Sequence, residues 1–385
     1  MPKRILYVRS GPFELNVNSY NVQELGLGKA FCRLGYDFDF VTFKKENFKE
    51  WVFFEQNGCK AKCIEMPRFR FFRWGINMSI CTKSFLKQYD YVIGSEYMQI
   101  MTFLLSRNAD KMFIYNGPYY NLFMFKCFSP IYDLLFTNRI KMNTEHIFAK
   151  SNLAKNFLES KTYKNVTTVG VGLDTERFEK EIPVCDETQK LIDYMRNNDC
   201  ILYVGSLSER KNFPFLLEVY KKILEKRKNT KFVIIGKSVI NPYMKLIGKK
   251  DSDYERMCLE KFDESVESGI YRLQKIDNTQ LKYIYPLAKA FLLPSKQEIF
   301  GMVLLEAMYF GAPIVTSSNG GSETLIRERN SGQIVDFNED DWATAVLKYL
   351  ENEPFAKSVC LEAHRIVAEE YNWNMIAKKM SAFFN

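Results

Sequence analysis

The sequence predicts an α/β protein built from two doubly wound domains. Length is one reason: 385 residues suffice for about two domains at roughly 100–200 residues each, both large enough to bury a core. Another is that an apolar strand, a turn, a helix and a second strand open the chain and return from position 201. A third is that the apolar runs are short and continuous, the pattern of parallel strands covered on both faces. The composition, 46% hydrophobic and 26% charged with 19 Gly and 12 Pro, is globular and excludes disorder, collagen-like repeats and coiled coil.

Arg4-Ile5-Leu6-Tyr7-Val8-Arg9-Ser10-Gly11 reads as the first strand and its turn. A helix follows, with Asn18 or Ser19 as N-cap, apolar positions at Val22, Leu25, Ala30, Phe31 and Leu34, and Gly35 closing it. Asp37 to Phe43 alternates with period two as the next strand. The second half repeats the series: Ile201 to Ser206, a helical pattern from Phe213 to Leu224, then Lys231 to Gly236. Each series is a βαβ unit, which requires a right-handed crossover and a parallel sheet. Strands at Tyr91–Gly94, Met112–Tyr115, His146–Lys150 and Val166–Val171 complete the first domain, and Ala290–Pro294 and Pro313–Thr316 belong to the second. Glu181 to Asn198, polar and with a helix inside, reads as the connection. Ligands of open α/β sheets sit outside the carboxyl ends of the strands, so two facing domains are expected to line a central cleft.

Several function classes are excluded or disfavoured. The uncharged stretch Met112–Phe125 contains Asn116, Gly117, Pro118 and Asn121 and is no transmembrane helix. The N-terminus has four apolar residues before the next charge, too few for a signal peptide, so a cytoplasmic location is expected. Nine Cys without a CxxC pair read as reduced, mostly buried thiols and not as a zinc site. Gly26-Leu27-Gly28-Lys29 lacks the earlier Gly of a phosphate loop, because position 23 is Gln, and Gly170-x-Gly172 is too short for a dinucleotide fingerprint. Two His in the whole chain argue against a Ser-His-Asp hydrolase. Asp251-Ser252-Asp253 has the spacing of a metal-holding Asp-x-Asp, but it follows Lys249-Lys250 without an apolar strand and reads as a solvated loop.

The chemistry concentrates in Leu292 to Met308, followed by Gly311 to Thr316 and Gly320-Gly321-Ser322-Glu323. A strand ends at Pro294, a polar loop follows, and a helix begins near Gly301 and runs through Glu306. The helix N-terminus favours phosphate, and Gly301 lets the backbone approach closely. Glu298, before the helix, and Glu306, about a turn and a half inside it, can hydrogen-bond different parts of one extended ligand. Without further context the pair is equally a loop carboxylate and a solvated helix carboxylate.

Pro294 to Val315 resembles the C-terminal motif of retaining glycosyltransferases of the GT-B fold, in particular family four: P-S-x-x-E-G-F-G-x-x-x-x-E-A-M-x-x-G-x-P-V, with Ile299 where the family has Gly. Val204 to Asn212 is similar to the family's loop after the first strand of the nucleotide domain, with Ser206 where many members have Arg. Val169 to Phe178 and Phe148 to Ser151 resemble further family segments, and Ile270 to Gln274 occupies the position that contacts the base. The resemblance implies a GT-B architecture: a first domain over 1–180, a nucleotide-sugar domain over 181–365, and a terminal helix over 366–385, around Trp373, crossing back to the first domain. It further implies that Glu298 binds the transferred sugar and Glu306 the ribose. The amides of Phe300, Gly301, Met302 and Val303 would meet sugar and diphosphate, Leu273 would lie by the base, and Arg210 and Lys211 would neutralise the diphosphate as fork and point charge. The family often has a His where this chain has Tyr115-Asn116-Gly117-Pro118, so Asn116 is expected to hydrogen-bond the donor sugar in its place. Transfer is expected to retain configuration by front-face attack, with no cofactor and no metal requirement.

Residues 1–180 carry 26 Lys and Arg against 17 Asp and Glu, and 34 of the 58 aromatic residues. Within them Met66-Pro67-Arg68-Phe69-Arg70-Phe71-Phe72-Arg73-Trp74 interleaves cations with rings. Arg68, Arg70, Arg73 and Trp74 are the expected acceptor or membrane-surface residues, suited to an anionic headgroup region; a half-buried strand or helix with snorkelling Arg is the alternative. No nucleic-acid module accompanies them. The expected function is transfer of a sugar from a nucleotide-sugar to a saccharide or lipid-linked saccharide, in bacterial surface polysaccharide or lipopolysaccharide synthesis, at the inner face of the membrane. The alternatives are a sugar-nucleotide epimerase of the same fold and a non-catalytic binding protein.

Overall fold

The computed structural model describes residues 2–11, 15–16, 22–44, 48–71, 74–121, 128–239, 250–260 and 264–384. The chain divides into two compact units, Met1–Gly172 with Tyr371–Asn385, and Leu173–Glu370.

The first unit holds β1 (Lys3–Arg9), β2 (Tyr36–Lys44), β3 (Lys49–Gln56), β4 (Cys59–Pro67), β5 (Phe69–Phe71), β6 (Trp74–Ile76), β7 (Tyr91–Ser95), β8 (Met112–Asn116), β9 (His146–Ala149) and β10 (Val166–Thr168). Its main sheet runs β10-β9-β8-β7-β1-β2-β4-β3. Every pairing is parallel except β3 with β4, a hairpin turned at Asn57 and Gly58, both at positive φ. The apolar runs are continuous because both faces are covered. Leu6 and Val8 enter one core with Val41, Ile114 and Ile147, while Tyr7 on the opposite face meets Phe38 and Phe40.

That second face is closed by the end of the chain. Phe384 stacks on Tyr91 at 4.3 Å and on Phe31 at 5.7 Å, and Phe383 stacks on His146 at 3.9 Å. The helix Trp373–Ser381, capped by Asn372, lies on the helix Gln23–Arg33. Gly26 is what permits the contact, because a Cβ there would stand 2.2 Å from the Trp373 ring, and at Gly28 it would stand 2.7 Å from Phe38. The Gly-Leu-Gly triplet thus serves helix packing. The cap of the helix Gln23–Arg33 differs from expectation: Val22 precedes it with no side-chain cap, and Asn18 and Ser19 lie outside the described residues. Its first turn carries Glu24, a carboxylate suited to the positive end of the helix dipole.

The second unit holds β11 (Cys200–Val204), β12 (Lys231–Ile235), β13 (Ile270–Leu273), β14 (Ala290–Leu293), β15 (Ile314–Thr316) and β16 (Gln333–Ile334). The sheet is parallel throughout in the order β13-β12-β11-β14-β15-β16. One face packs on the helices Phe213–Lys226 and Glu339–Glu351, with Trp342 fully buried. The segment Glu181 to Asn198 does hold a helix, Asp186–Arg196, and it lies within the second unit. Asp251 to Asp253 correct the loop reading: they open the helix Asp251–Leu259, whose inner side contributes Cys258 to the core. Among the described residues no helix is long and apolar enough to cross a membrane.

Candidate active site

In the second unit the chain builds outward from β11 to β12 and β13, then returns to lay β14 on the other side of β11. The order reverses between β11 and β14, which pair through Ile201 with Ala290 and Leu202 with Phe291. Loops diverge at such a switch point and leave room for a ligand beyond the strand ends. Here the two loops are residues 205–212 and 294–301.

The loops are stitched together. Lys296 N–H donates to the Arg210 carbonyl at 3.0 Å, and Arg210 Nη1 donates to the Gln297 carbonyl at 2.8 Å and reaches Glu298 Oε2 at 3.4 Å. Lys211 Nζ pairs with the same oxygen of Glu298. Lys211 is buried, and that burial pulls its ammonium below the usual lysine range against the opposing pull of Glu298. Arg210 is about half exposed, its side chain retaining 48% of its accessible surface. One carboxylate therefore faces two cations, one sheltered and one open to solvent. Asn212, in the left-handed conformation, ends this loop and starts the helix Phe213–Lys226.

The second loop is held from behind. Gly301 adopts φ +82° as the N-cap of the helix Met302–Tyr309, a conformation that favours glycine, and the Glu298 Cγ lies 3.2 Å from where a Cβ would be. Gly320 N–H donates to the Glu298 carbonyl at 3.1 Å. Gly321 sits so close to the Phe300 carbonyl that a Cβ would fall 1.9 Å from its oxygen. Asn319 and Ser322 fix these glycines by a reciprocal capping box. Phe300, Gly301, Met302 and Val303 are thereby consecutive at the positive end of the helix.

Glu306, on the same helix, is almost fully buried. Asn278 Nδ2 donates to both carboxyl oxygens at 3.3 Å, and the Tyr285 hydroxyl donates to Oε2 at 3.1 Å. Burial pushes its pKa up to about 7, opposed by these hydrogen bonds and by the charge of Arg177. Leu273 ends β13, and its carbonyl accepts from Gly236 N–H at 3.0 Å.

Asn116, expected at the donor sugar, is fully buried in the first unit and committed to backbone: Oδ1 accepts from Tyr97 N–H at 3.1 Å and Nδ2 donates to the Pro118 carbonyl at 3.1 Å. It positions a loop of that unit. Arg68 is partly buried; Arg70 and Trp74 belong to the β5–β6 hairpin with side chains outside the described residues, as is the whole of Arg73.

Among the ion pairs that escaped the sequence reading, three stand at strand ends. Arg272 bridges Glu255 and donates Nη2 to the Gly236 carbonyl at 2.6 Å, locking the ends of β12 and β13. Its signal was a lone cation inside an apolar strand. In the first unit Arg9 Nη1 reaches both oxygens of buried Glu24 at 2.9 and 3.0 Å. Lys150 Nζ lies 3.5 Å from Glu96 Oε1, whose other oxygen accepts from Gly117 N–H at 2.9 Å. Arg9 ends β1, and Glu96 and Lys150 directly follow β7 and β9, around the reversal of order in the first sheet.

Residues 195–366 match the family described as Glycosyl transferases group 1. A relative in Methanocaldococcus jannaschii, an uncharacterised glycosyltransferase, is 33% identical over 46% of this chain and 43% of its own. The lipopolysaccharide 1,2-N-acetylglucosaminetransferase of Salmonella typhimurium is 23% identical over 62% of this chain and 61% of its own. The chain spans about half the length of the curated relatives it matches. Among solved structures, sucrose-phosphate synthase from Thermosynechococcus elongatus superimposes with a TM-score of 0.68 at 15% identity, covering 99% of this chain and 98% of that one; at that identity the likeness is one of fold.

Proposed function

From a chain whose residues 195–366 match the glycosyl transferases group 1, in a GT-B frame of two α/β units, we propose a glycosyltransferase. It moves a sugar from a nucleotide-sugar to a hydroxyl of a saccharide or lipid-linked saccharide, with retention. The observation that carries this reading is the meeting of Arg210 and Lys211 with Glu298 at the switch point, in front of the helix that starts at Gly301.

The donor diphosphate takes the place beside Arg210 and Lys211, and Glu298, relieved of its cations, accepts hydrogen bonds from sugar hydroxyls. Glu306 accepts from the ribose, and the backbone near Leu273 meets the base. The bond between the anomeric carbon and the diphosphate oxygen breaks with its electron pair left on the diphosphate. Arg210, Lys211 and the helix start are fixed positive charge at the point where that negative charge grows. The acceptor oxygen bonds to the anomeric carbon on the face the diphosphate leaves, and its proton passes to the departing phosphate oxygen. The chain's own cations fill the charge-stabilising role, so transfer is expected without added metal or cofactor. The basic first half favours an anionic or amphipathic acceptor met at the inner face of a membrane, and the Salmonella relative's name supports a role in surface polysaccharide synthesis.

The test is a binding and turnover screen of UDP-, GDP-, ADP- and dTDP-sugars in EDTA with a membrane extract as acceptor. One donor should bind saturably, roughly 10- to 100-fold more weakly in Glu306→Ala, and sugar transfer should vanish in Glu298→Ala. Product from donor alone would replace transfer by epimerisation, and absence of any donor binding would overturn the proposal.

A further inference from the structure

Residues 128–142 of the first unit form a helix with a wider π turn at Asp133–Thr137. Its inner side is well accounted for. Ser129, Tyr132, Thr137 and Ile140 are buried, Tyr132 donates its hydroxyl to the Tyr97 carbonyl at 2.8 Å, and Phe136 meets Phe103 at 4.7 Å. The outer side is apolar and open to water: Ile131 is 51% exposed, Leu134 79%, Leu135 62% and Met142 81%. Their spacing places them on one stripe. Such a stripe contributes nothing to folding, and clustered exposure of this kind marks a contact surface.

We propose that this stripe seats the protein on the anionic surface of a lipid bilayer. Charge argues for that occupant. Arg139 on the helix is exposed, and so is Arg107 at the end of the neighbouring helix Ile100–Ser106, its guanidinium 5.9 Å from the Phe103 ring that touches Phe136. The acid of the helix, Asp133, is already paired with Lys161 and accepts from Thr137. Aliphatic side chains in the interface flanked by Arg at headgroup level are the composition of an in-plane amphipathic helix. Side chains that protrude singly need no matching pockets, which a fluid bilayer does not offer and a protein partner would.

The apolar surface continues beyond the helix. β6 and the turn Met78–Cys81 pack on the same helix Ile100–Ser106; Met78 is exposed, as is Phe69, which pairs with Ile76 across the hairpin. The proposal rests on the lipid-linked acceptor only for its purpose, since it names the surface that would bring such an acceptor to the protein.

Vesicle flotation of the full chain, without donor or acceptor, separates the two. The protein should float with phosphatidylcholine vesicles containing phosphatidylglycerol, release with added salt, and bind pure phosphatidylcholine weakly. Leu134→Ser with Leu135→Ser should lower partitioning roughly tenfold or more at unchanged melting temperature, and Arg139→Ser should blunt the salt dependence. If the double variant melts early, Met142→Gln, at the end of the stripe, carries the same test. Equal flotation of wild type and variants, or no flotation by wild type, overturns the proposal. So does a concentration-dependent dimer that forms without lipid and is lost in the variants, which would assign the stripe to a second copy of the chain. Donor binding is unaffected in every case.

Discussion

Glu298, partly buried, and Lys211, buried, are an ion pair whose worth lies in mutual neutralisation: neither charge is well solvated, and each makes the other tolerable. Removing one partner strands the other. Glu298→Gln is expected to cost about 3 kcal/mol of stability by leaving the Lys211 ammonium buried and unpaired, and adding Lys211→Met should recover most of that in thermal unfolding while restoring no transfer. Recovery of both together would mean that the pair is a structural strut and nothing else. Glu306 carries a different signature. Its carboxyl titrates near 7 in the folded protein against 4.5 when unconstrained, so between those values the unfolded chain gives up a proton that the folded one keeps. Stability therefore falls as pH rises from about 4.5 to about 7, by roughly 3 kcal/mol in all, and is level above. Glu306→Gln should flatten that slope in denaturant titrations across the window; an unchanged slope would locate the titration elsewhere. Arg210, Lys211, Glu298 and Glu306 of this candidate site could be singled out because they lie within two short segments with recognisable spacing. Arg9 with Glu24, Glu96 with Lys150 and Arg272 with Glu255 were not, since the partners are 15, 54 and 17 residues apart and only the folded sheet brings them together.

At the level of elements, the loop before the helix Met302–Tyr309 is shaped by the segment after β15 as much as by its own sequence. Gly321→Ala would force the Phe300 carbonyl away, at a cost of about 1–3 kcal/mol by overpacking. It should weaken donor binding measured by calorimetry more than it lowers the melting temperature. Equal donor affinity would show that the loop relaxes without consequence. Elements with continuous apolar runs were readable, because a strand buried on both faces leaves that trace. β3 and β4 were passed over, although Asn57-Gly58 between them is the dipeptide a tight hairpin favours. The charges along both strands, at Lys49, Glu50, Lys60 and Lys62, masked the alternation of an edge pair. Helix 128–142 was hidden for the opposite reason: its apolar residues lie on both sides, so no amphipathic period stands out. The start of the helix Asp251–Leu259 was misread because its first residues are polar and only Cys258 and its neighbours touch the core.

For the molecule as a whole, two doubly wound domains followed from one repeated pattern of strand, turn, helix and strand, whereas the place of each reversal, between β7 and β1 in one sheet and between β11 and β14 in the other, followed from none of it. Order depends on which edge a returning crossover meets, and that is a property of the assembled sheet. The imbalance of charge was legible from composition; its use was not, because the exposed apolar stripe beside Arg107 and Arg139 is defined by what fails to be buried. The division of the chain also has a temporal side. The first unit takes its last ring contacts from Phe383 and Phe384, whereas the second is continuous from Leu173 to Glu370. During synthesis the second unit has all its parts first, and the first unit waits with Tyr91, Phe31 and Phe113 uncovered until the closing segment leaves the ribosome. The half synthesised first is thereby the last to bury its rings.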